Sequence, residues 1–258
     1  MSLENLALVK LSRQIALHRE LEVVANNIAN LNTTGYKADG SVFQEFLMPV
    51  ARAGAFQGSD QRLSYVHDRA TWHNFSSGPV RQTGNPLDVS IDGDAFLVVQ
   101  TPRGERYTRN GSLQLNATGQ LVTQGGDLVL GDGGPIQFQS TDSNVSINPD
   151  GTITVRESGN ATSDSARGRL RLVRFERAAT LLKDGASMFR APDGTAPQPA
   201  DTNVRVIQGT IEQSNVSPVL EMARMIEISR TYSILSGMIQ QMGEHRRNAI
   251  SRLADVTT

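Results

Sequence analysis

Apolar residues near the N-terminus follow the spacing of a helix face. They recur at steps of three and four, which places them along one side of an α-helix. The stripe consists of Leu17, Leu21, Val24, Ile28 and Leu31. A second stripe, at a different angle around the same helix, consists of Leu8, Leu11 and Ile15. The pattern predicts a first helix over about residues 3–33 that is packed on more than one side.

The C-terminal part of the chain carries a longer pattern of the same kind. Ser217 and Pro218 are typical of a helix start, since serine caps helices and proline fits the first helical position. Beyond them, apolar residues alternate as in a coiled-coil seam: Met225, Ile228, Tyr232, Leu235, Ile239 and Met242. A helix of about 38 residues is almost 60 Å long, which is more than one small β domain covers. The simplest arrangement pairs the two terminal helices and leaves further apolar surface for other copies of the chain.

Asparagines crowd the end of the first helical pattern. Asn26, Asn27, Asn30 and Asn32 occupy positions where an ordinary helix has better helix formers. Their amides compensate if they hydrogen-bond to neighbouring helices, and a paired polar group of this kind fixes register. Gly35 is expected to end the helix as a left-handed cap.

The region 85–210 has strand patterns instead. Short apolar segments such as AFLVVQT (95–101) and SLQLN (112–116) alternate with hairpin sequences. The turn sequence NPDG (148–151) is expected to join two strands between Val145 and Val155. Apolar positions change face within LRLVRF (170–175), which indicates a bulge or a strand that leaves one sheet for another.

These patterns predict an α+β protein with long terminal helices that form a coiled-coil-like pair and with a central, irregular antiparallel β domain. Residues 1–37 and 216–258 form the terminal helical assembly domain, and residues 85–210 form the β domain. Residues 38–84 are rich in Gly, Ser, Gln and Arg with scattered aromatics. They are interpreted as an extended arm, and a flexible loop is the alternative.

Composition narrows the function classes. The net charge of −1 gives no electrostatic case for binding nucleic acid or an anionic membrane. The chain has no cysteine, so disulfides and thiolate chemistry are excluded. No apolar run approaches the ~18–20 residues of a membrane span. Charged residues interrupt the N-terminal pattern, so we expect no cleaved secretory signal peptide and no membrane insertion.

Candidate catalytic and metal-binding groups are sparse. The four histidines (His18, His67, His73 and His245) lack metal-ligand spacing, and Asp92 and Asp94 fit a hairpin turn better than a calcium loop. We therefore predict no catalytic residues, no cofactor and no metal. A basic concentration is formed by Arg167, Arg169, Arg171 and Arg174. It is interpreted as a solvated or intersubunit salt-bridging face.

Three motifs resemble those of bacterial flagellar rod and hook proteins, the axial proteins of the basal body. They are NNIANLNTTGYK (26–37), NPLDVSIDGDAFLVVQTPRGERYTRNGSLQLNATGQLVT (85–123) and GTIEQSNVSPVLEMARMIEISRTY (209–232). The resemblance implies a structural subunit that is exported uncleaved through the flagellar type III apparatus. Such a subunit polymerises with copies of itself and with homologous rod proteins into a helical drive shaft that spans the periplasm. Among family members, a proximal rod protein is the best match and a distal rod protein the alternative.

The assembly interface is predicted to combine both terminal helices. Its residues are Leu21, Val24, Asn26, Asn27, Ile28, Asn30, Leu31, Asn32, Gly35, Met225, Ile228, Tyr232, Leu235, Ile239 and Met242. The alternative from a different class is a secreted binding or hydrolytic β domain with a helical stalk. A convergent pocket of titratable groups in the β domain would favour that alternative.

Overall fold

The computed structural model describes residues 3–48, 63–157, 164–185 and 187–255. The fold is α+β: helix α1 (Leu3–Ala29) begins the described chain, helix α2 (Pro218–Asp255) ends it, and the strands lie between them. The first strands are β1 (Asp39–Met48), β2 (Leu63–His73), β3 (Val80–Gln82), β4 (Val89–Asp92), β5 (Phe96–Thr101), β6 (Gly104–Thr108), β7 (Leu113–Leu115), β8 (Leu121–Thr123), β9 (Leu128–Gly131) and β10 (Gly134–Pro135). They are followed by β11 (Asp142–Ile147), β12 (Thr152–Glu157), β13 (Asp164–Arg169), β14 (Leu172–Arg174), β15 (Leu182–Lys183), β16 (Met188–Arg190), β17 (Gln198–Pro199), β18 (Arg205–Gln208) and β19 (Thr210–Glu212). A short 3₁₀ helix, Ala178–Thr180, separates β14 from β15.

The chain divides into two compact units. The helical unit contains the described residues within 1–28, 39–72 and 217–258. The β unit contains residues 29–38 together with the described residues within 73–216.

The β unit is built around strand β5, which is buried on both faces. Its main sheet has the order β15-β16-β6-β5-β9-β8-β7, and β14 pairs antiparallel with β5. Side chains alternate between the two faces of a strand. Leu97 and Val99 therefore enter one apolar cluster, while Phe96 and Val98 enter a second. This double burial explains why the segment is a continuous apolar run rather than an alternating one.

Two predictions about the β region are confirmed. The NPDG sequence forms the turn between β11 and β12, where the Gly151 amide donates to the Asn148 carbonyl oxygen at 2.9 Å. The facing change at 170–175 marks a change of sheet. Strand β13 belongs to the three-stranded sheet β11-β12-β13, whereas β14 pairs with β5 and β17.

The helical unit combines α1, α2 and a two-stranded sheet of β1 and β2. The two helices run antiparallel, because residues late in α1 contact residues early in α2. Asn27 meets Glu221, whereas Gln14 meets Ser236 and Lys10 meets Met242. The length of α2, 38 residues, agrees with the length expected from its apolar pattern.

Helix α1 ends four residues earlier than expected, at Ala29 rather than at about residue 33. A turn replaces the last helical turn, and in it the Thr33 amide donates to the Asn30 carbonyl oxygen at 3.2 Å. Gly35 has a left-handed φ of +68°, yet it does not cap the helix. Its amide donates instead to the carbonyl oxygen of Glu212 at 2.8 Å. The expectation of a Gly35 cap was therefore wrong, because a long-range partner takes the amide.

The segment 38–84 is divided differently from the single arm expected. It contributes β1 and β2 to the helical unit, and its last part, with β3, belongs to the β unit. Strand β3 pairs with β19. Residues 49–62 of this segment lie outside the described part of the chain.

Candidate assembly site

The seam of the helical unit is an apolar cluster with side chains from both helices. Leu17, Val24 and Ile228 are its buried centre. Partly buried residues pack around that centre: Leu21, Ile28, Met225, Tyr232 and Leu235. These are the positions at steps of three and four in the two sequence patterns, so each helix turns its predicted stripe toward the other.

Polar contacts continue this seam. The Gln14 amide nitrogen donates to the Tyr232 hydroxyl at 3.1 Å, and Lys10 Nζ lies 2.9 Å from Met242 Sδ. Ile239 and Met242 are half-buried, at the end of α2 that lies beside Lys10 and Gln14.

Asn27 joins three elements of the helical unit. Its side chain is 1% exposed. Its amide nitrogen donates to the Asp39 carbonyl oxygen at 2.9 Å and to Glu221 Oε2 at 3.3 Å, while its Oδ1 accepts from the Asp39 amide at 2.9 Å. Asn27 thereby links α1 to the start of β1 and to the first turn of α2. Glu221 is favourably placed there, because the N-terminus of a helix carries a partial positive charge.

The other asparagines lie elsewhere. Asn26 is exposed and donates to Asp39 Oδ2 at 3.2 Å. Asn30, Leu31 and Asn32 belong to the β unit, and Asn32 is exposed there. Asn30 is half-buried and accepts a hydrogen bond from the Thr33 hydroxyl at 3.0 Å.

Both helices also carry exposed apolar side chains outside the seam, either beside it or on the opposite side. Successive helical residues lie about 100° apart, so residues two apart lie on opposite sides. In α2, Ile228 is 5% exposed while Ile226 is 70% exposed. In α1, Leu17 is buried while Ile15 is 61% exposed. We call these exposed residues the outer face: Leu11, Ile15, Val219, Leu220, Met222, Ile226, Ile234 and Met238. The side chain of Leu8, from the same predicted stripe, lies outside the described side chains.

In the β unit, the segment after α1 is fixed by close packing. A Cβ added to Gly35 would lie 2.4 Å from the backbone nitrogen of Asn110, so only glycine fits. Tyr36 is fully buried, and Lys183 Nζ lies 3.7 Å from the centre of its ring. The Asn215 side chain accepts from the Ala38 amide at 2.8 Å and donates to the Asn74 carbonyl oxygen at 2.8 Å.

A buried charge cluster lies beside this segment. Lys37 Nζ donates to Glu212 Oε1 at 2.7 Å, and Arg109 Nε donates to Glu212 Oε2 at 3.0 Å. Burial lowers the pKa of Lys37 from its usual range, and the contact with Glu212 opposes that shift. No local sequence pattern indicates this cluster, since its members are separated by more than 70 residues along the chain.

Three of the four arginines between residues 167 and 174 form ion pairs within the chain, whereas Arg169 Nε donates to the Asp150 carbonyl oxygen at 2.8 Å. Arg167 Nε lies 2.7 Å from Asp142 Oδ2, and this hydrogen bond holds the pKa of Asp142 below its usual range. Arg171 pairs with Glu105 at 2.9 Å and Arg174 with Asp201 at 3.2 Å. The interpretation of this region as a solvated or intersubunit salt-bridging face stays a prediction.

A polar cleft of about 520 Å³ lies beside β11, lined in part by Asp142, Asn144, Arg156 and Asp164. Its charged groups are held in ion pairs, since Arg156 lies 3.5 Å from Asp164 and Asp142 is held by Arg167. Across the described ranges, no three His, Asp or Glu side chains lie close enough together to hold a metal ion. Neither described helix has a stretch apolar enough to span a membrane.

Comparison with known proteins adds three segment matches. Residues 8–37 match the family described as flagella basal body rod protein. Residues 90–155 match the flagellar hook protein FlgE/F/G D1 domain, and residues 207–252 match the flagellar basal body rod FlgEFG protein C-terminal region.

Matches to individual proteins extend over nearly the whole chain. The flagellar basal-body rod protein FlgF of Caulobacter vibrioides is 41% identical over 257 residues, which cover 98% of this chain and 100% of the relative. The chain belongs to the flagellar basal-body rod protein family. FlgF of Salmonella typhimurium is 33% identical over 88% of this chain and 89% of its own length. FlgG of Bacillus subtilis is 31% identical over 87% of this chain and 90% of its own length.

The resemblance seen in the sequence motifs is thereby confirmed, and the chain is a FlgF-like rod protein. The two terminal family matches contain segments that contact each other in the structure, namely α1 with α2 and Lys37 with Glu212. Residues 8–37 include α1 from Leu8 onward and the Gly35–Lys37 segment, while residues 207–252 include Glu212, Asn215 and most of α2. The two terminal matches therefore contain the seam residues of the helical unit and the Lys37–Glu212 pair of the β unit.

Proposed function

We propose that this protein is a structural subunit of the proximal flagellar rod and polymerises through its terminal helices into the helical shaft that transmits torque. Its partners are further copies of itself and homologous rod proteins. The observation that carries the proposal is the outer face of α1 and α2, which stays exposed after the two helices have paired.

The finer features of this assembly are part of the same proposal. The antiparallel pair of α1 and α2 acts as a coiled-coil-like unit, and residues 1–37 and 216–258 act as the assembly domain beside the β domain of 85–210. The heptad spacing on both sides of the seam supports this reading. Seven of the predicted interface residues pair the helices within a subunit in this proposal: Leu21, Val24, Ile28, Met225, Ile228, Tyr232 and Leu235. The contacts with other subunits are assigned instead to the outer face, whose residues were not among those predicted from the sequence.

The free energy of burying the outer face indicates that each subunit contacts more than one neighbour. Fully burying one large apolar side chain contributes roughly 1.5–3 kcal/mol. The six outer-face residues of α2 together therefore give on the order of 10 kcal/mol, because they are already partly covered. Association costs about 4–15 kcal/mol in lost freedom. A single outer-face contact is close to balance, so stable assembly requires each subunit to meet more than one neighbour, as in a helical polymer.

The remaining expectations belong to this proposal as well. The subunit is exported by the flagellar export apparatus without a cleaved signal peptide, occupies the rod across the periplasm, and does not insert into the membrane or bind nucleic acid. It acts without catalysis, cofactor or metal. The charged groups of the β11 cleft support a non-enzymatic role, since each of them is held in an ion pair.

The test is a pair of charged substitutions on α2 in a strain that lacks the wild-type gene. Ile226→Asp places a carboxylate on the outer face, and we expect loss of swimming and loss of the protein from purified basal bodies. The purified variant should keep the helical content of the wild-type monomer, since Ile226 makes no part of the seam cluster.

Gln240→Asp is the matched control, at an exposed polar position of the same helix, and should swim normally. Leu235→Asp, in the seam, should lose both swimming and the helix pairing of the monomer. Normal basal bodies that contain the Ile226→Asp protein would contradict the proposed assembly face.

A further inference from the structure

Three distant segments of the β unit meet at one buried carboxylate. Lys37 follows α1, Arg109 follows β6, and Glu212 ends β19. Their side chains are 1%, 3% and 2% exposed, respectively. Charged side chains are almost never buried to this degree unless they are paired.

Glu212 is the carboxylate that both cations contact. Its Oε1 accepts from Lys37 Nζ at 2.7 Å and from the Gly78 amide at 2.8 Å, and its Oε2 accepts from Arg109 Nε at 3.0 Å. The other recorded partners of the two cations are uncharged. Lys37 donates to the Ser76 carbonyl oxygen at 2.7 Å, and Arg109 donates to the carbonyl oxygens of Gly93 and Ala95, each at 2.6 Å.

Without this carboxylate, two positive charges would share a buried site. Burial lowers the pKa of Lys37, and the charge of Arg109 acts in the same direction, whereas Glu212 favours the charged lysine. Asp94 also favours it, but Asp94 is exposed and its charge is screened by water. Removing one partner from a buried ion pair is far more damaging than replacing the whole pair by apolar groups.

The segment that carries Glu212 also completes the backbone pairing around it. The Gly35 amide donates to the Glu212 carbonyl oxygen at 2.8 Å, and the Gln213 amide donates to the Pro79 carbonyl oxygen at 2.8 Å. The Asn215 amide donates to the Tyr36 carbonyl oxygen at 3.4 Å. Without this segment, Lys37 therefore lacks its counter-ion, and the Gly35 amide and the carbonyl oxygens of Tyr36 and Pro79 lack these backbone partners.

We infer that Glu212 is the counter-ion on which closure of the β unit depends, so that the unit reaches its native fold only once residues 209–216 are in place. The folding of most of the chain is thereby conditional on a segment near its C-terminal end. This inference goes beyond the proposed function, because it concerns a single chain and holds whether or not that chain assembles.

The first test is Glu212→Gln in the full-length protein, which removes the charge and preserves the shape. We expect the folding equilibrium constant of the β unit to fall by about 100-fold or more, measured by urea unfolding. Glu105→Gln is the matched control, because Glu105 forms a half-exposed ion pair with Arg171 in the same unit. Its effect should stay within about 5-fold.

The second test adds Lys37→Met to Glu212→Gln. Since this change removes one of the two buried cations, we expect the double variant to be at least 10-fold more stable than Glu212→Gln alone. If Glu212 served only as a hydrogen-bond acceptor, Lys37→Met would remove further hydrogen bonds and lower the stability of the double variant below that of Glu212→Gln. A double variant no more stable than the single one would therefore overturn the inference.

Hydrogen exchange of the wild-type protein tests the inference without any substitution. The amides of Gly35, Gln213 and Asn215 should exchange as slowly as that of Val98 in β5, because they open only when the whole unit opens. Exchange at least 100-fold faster at these amides, with Val98 still protected, would show that the segment detaches from a folded β unit and would refute the inference.

Discussion

The β unit and the helical unit treat their apolar residues differently. In β5, both faces are covered, and Leu97, Val98 and Val99 are all fully buried. In α2, one face is covered by α1 and the opposite face is exposed, as Ile228 and Ile226 show. The β unit thus contains the partners that its apolar surface needs, whereas the helical unit leaves apolar side chains of α1 and α2 exposed. Under the proposed function, this difference gives folding to the β unit and assembly to the helical unit.

The largest expected effect comes from removing a buried aromatic ring from the β unit. Phe189 is fully buried and packs edge-on against Phe75 and Phe96. Phe189→Ala should destabilise the β unit by about 3–5 kcal/mol, because it leaves a cavity. Urea unfolding monitored by β-sheet circular dichroism measures this change.

The matched substitution on the outer face is Ile226→Ala. It should change the stability of the monomer by less than about 0.5 kcal/mol, since its side chain is already in water, yet it should weaken incorporation into basal bodies. A large destabilisation of the monomer would remove the contrast between the two units.

An effect on stability smaller than that of Phe189→Ala is expected from Asn27→Ala, which removes the buried Asn27 amide of the helical unit. The Asp39 backbone and Glu221 would lose a partner, at a cost of about 1–3 kcal/mol. Faster exchange of the α1 amides near Ala29, measured by mass spectrometry, should report the loss. Asn32→Ala is the control, since Asn32 is exposed and belongs to the β unit. Equal effects of the two substitutions would mean that the Asn27 contacts add nothing.

The last expected effect has the opposite sign, since it is a gain in stability. A Cβ added to Gly237 in α2 meets no atom within 4 Å. Gly237→Ala should therefore stabilise the helix by up to about 1 kcal/mol, through helix propensity alone. Thermal unfolding monitored at the helical circular dichroism signal measures the gain. A loss of helicity or of swimming would indicate that a neighbouring subunit packs against this glycine.

The elements with strong local signals were predictable from the sequence. The steps of three and four in both helices depend only on residues near one another, and so does the NPDG turn. The change of facing between Leu172 and Val173 is also local, and it correctly indicated that the chain leaves one sheet for another. In each case, neighbouring residues suffice to determine the local structure.

The features that escaped prediction depend on distant partners. The sequence predicts that α1 continues to about residue 33, because its apolar pattern continues to Leu31. No local signal shows that the Gly35 amide donates to the Glu212 carbonyl oxygen. Lys37 stands in a recognisable motif, but its role depends on a glutamate 175 residues away. The apolar residues of 38–84 show little periodicity. The sequence therefore does not indicate that this segment forms strands or that the strands belong to two units.

The side chain of Asn27 has a consequence for strand β1. A carboxamide carries an N–H donor beside a carbonyl acceptor, as the backbone of a strand residue does, and Asn27 uses one N–H and its Oδ1 on the backbone of Asp39. The backbone N–H and carbonyl oxygen of Asp39, the first residue of β1, therefore bond to a side chain of α1 where they could otherwise bond to a neighbouring strand. An isolated two-stranded ribbon exposes unpaired edges that invite adhesion to foreign strands. Here the Asn27 amide occupies the edge position at Asp39, so no foreign strand can pair with the first residue of β1.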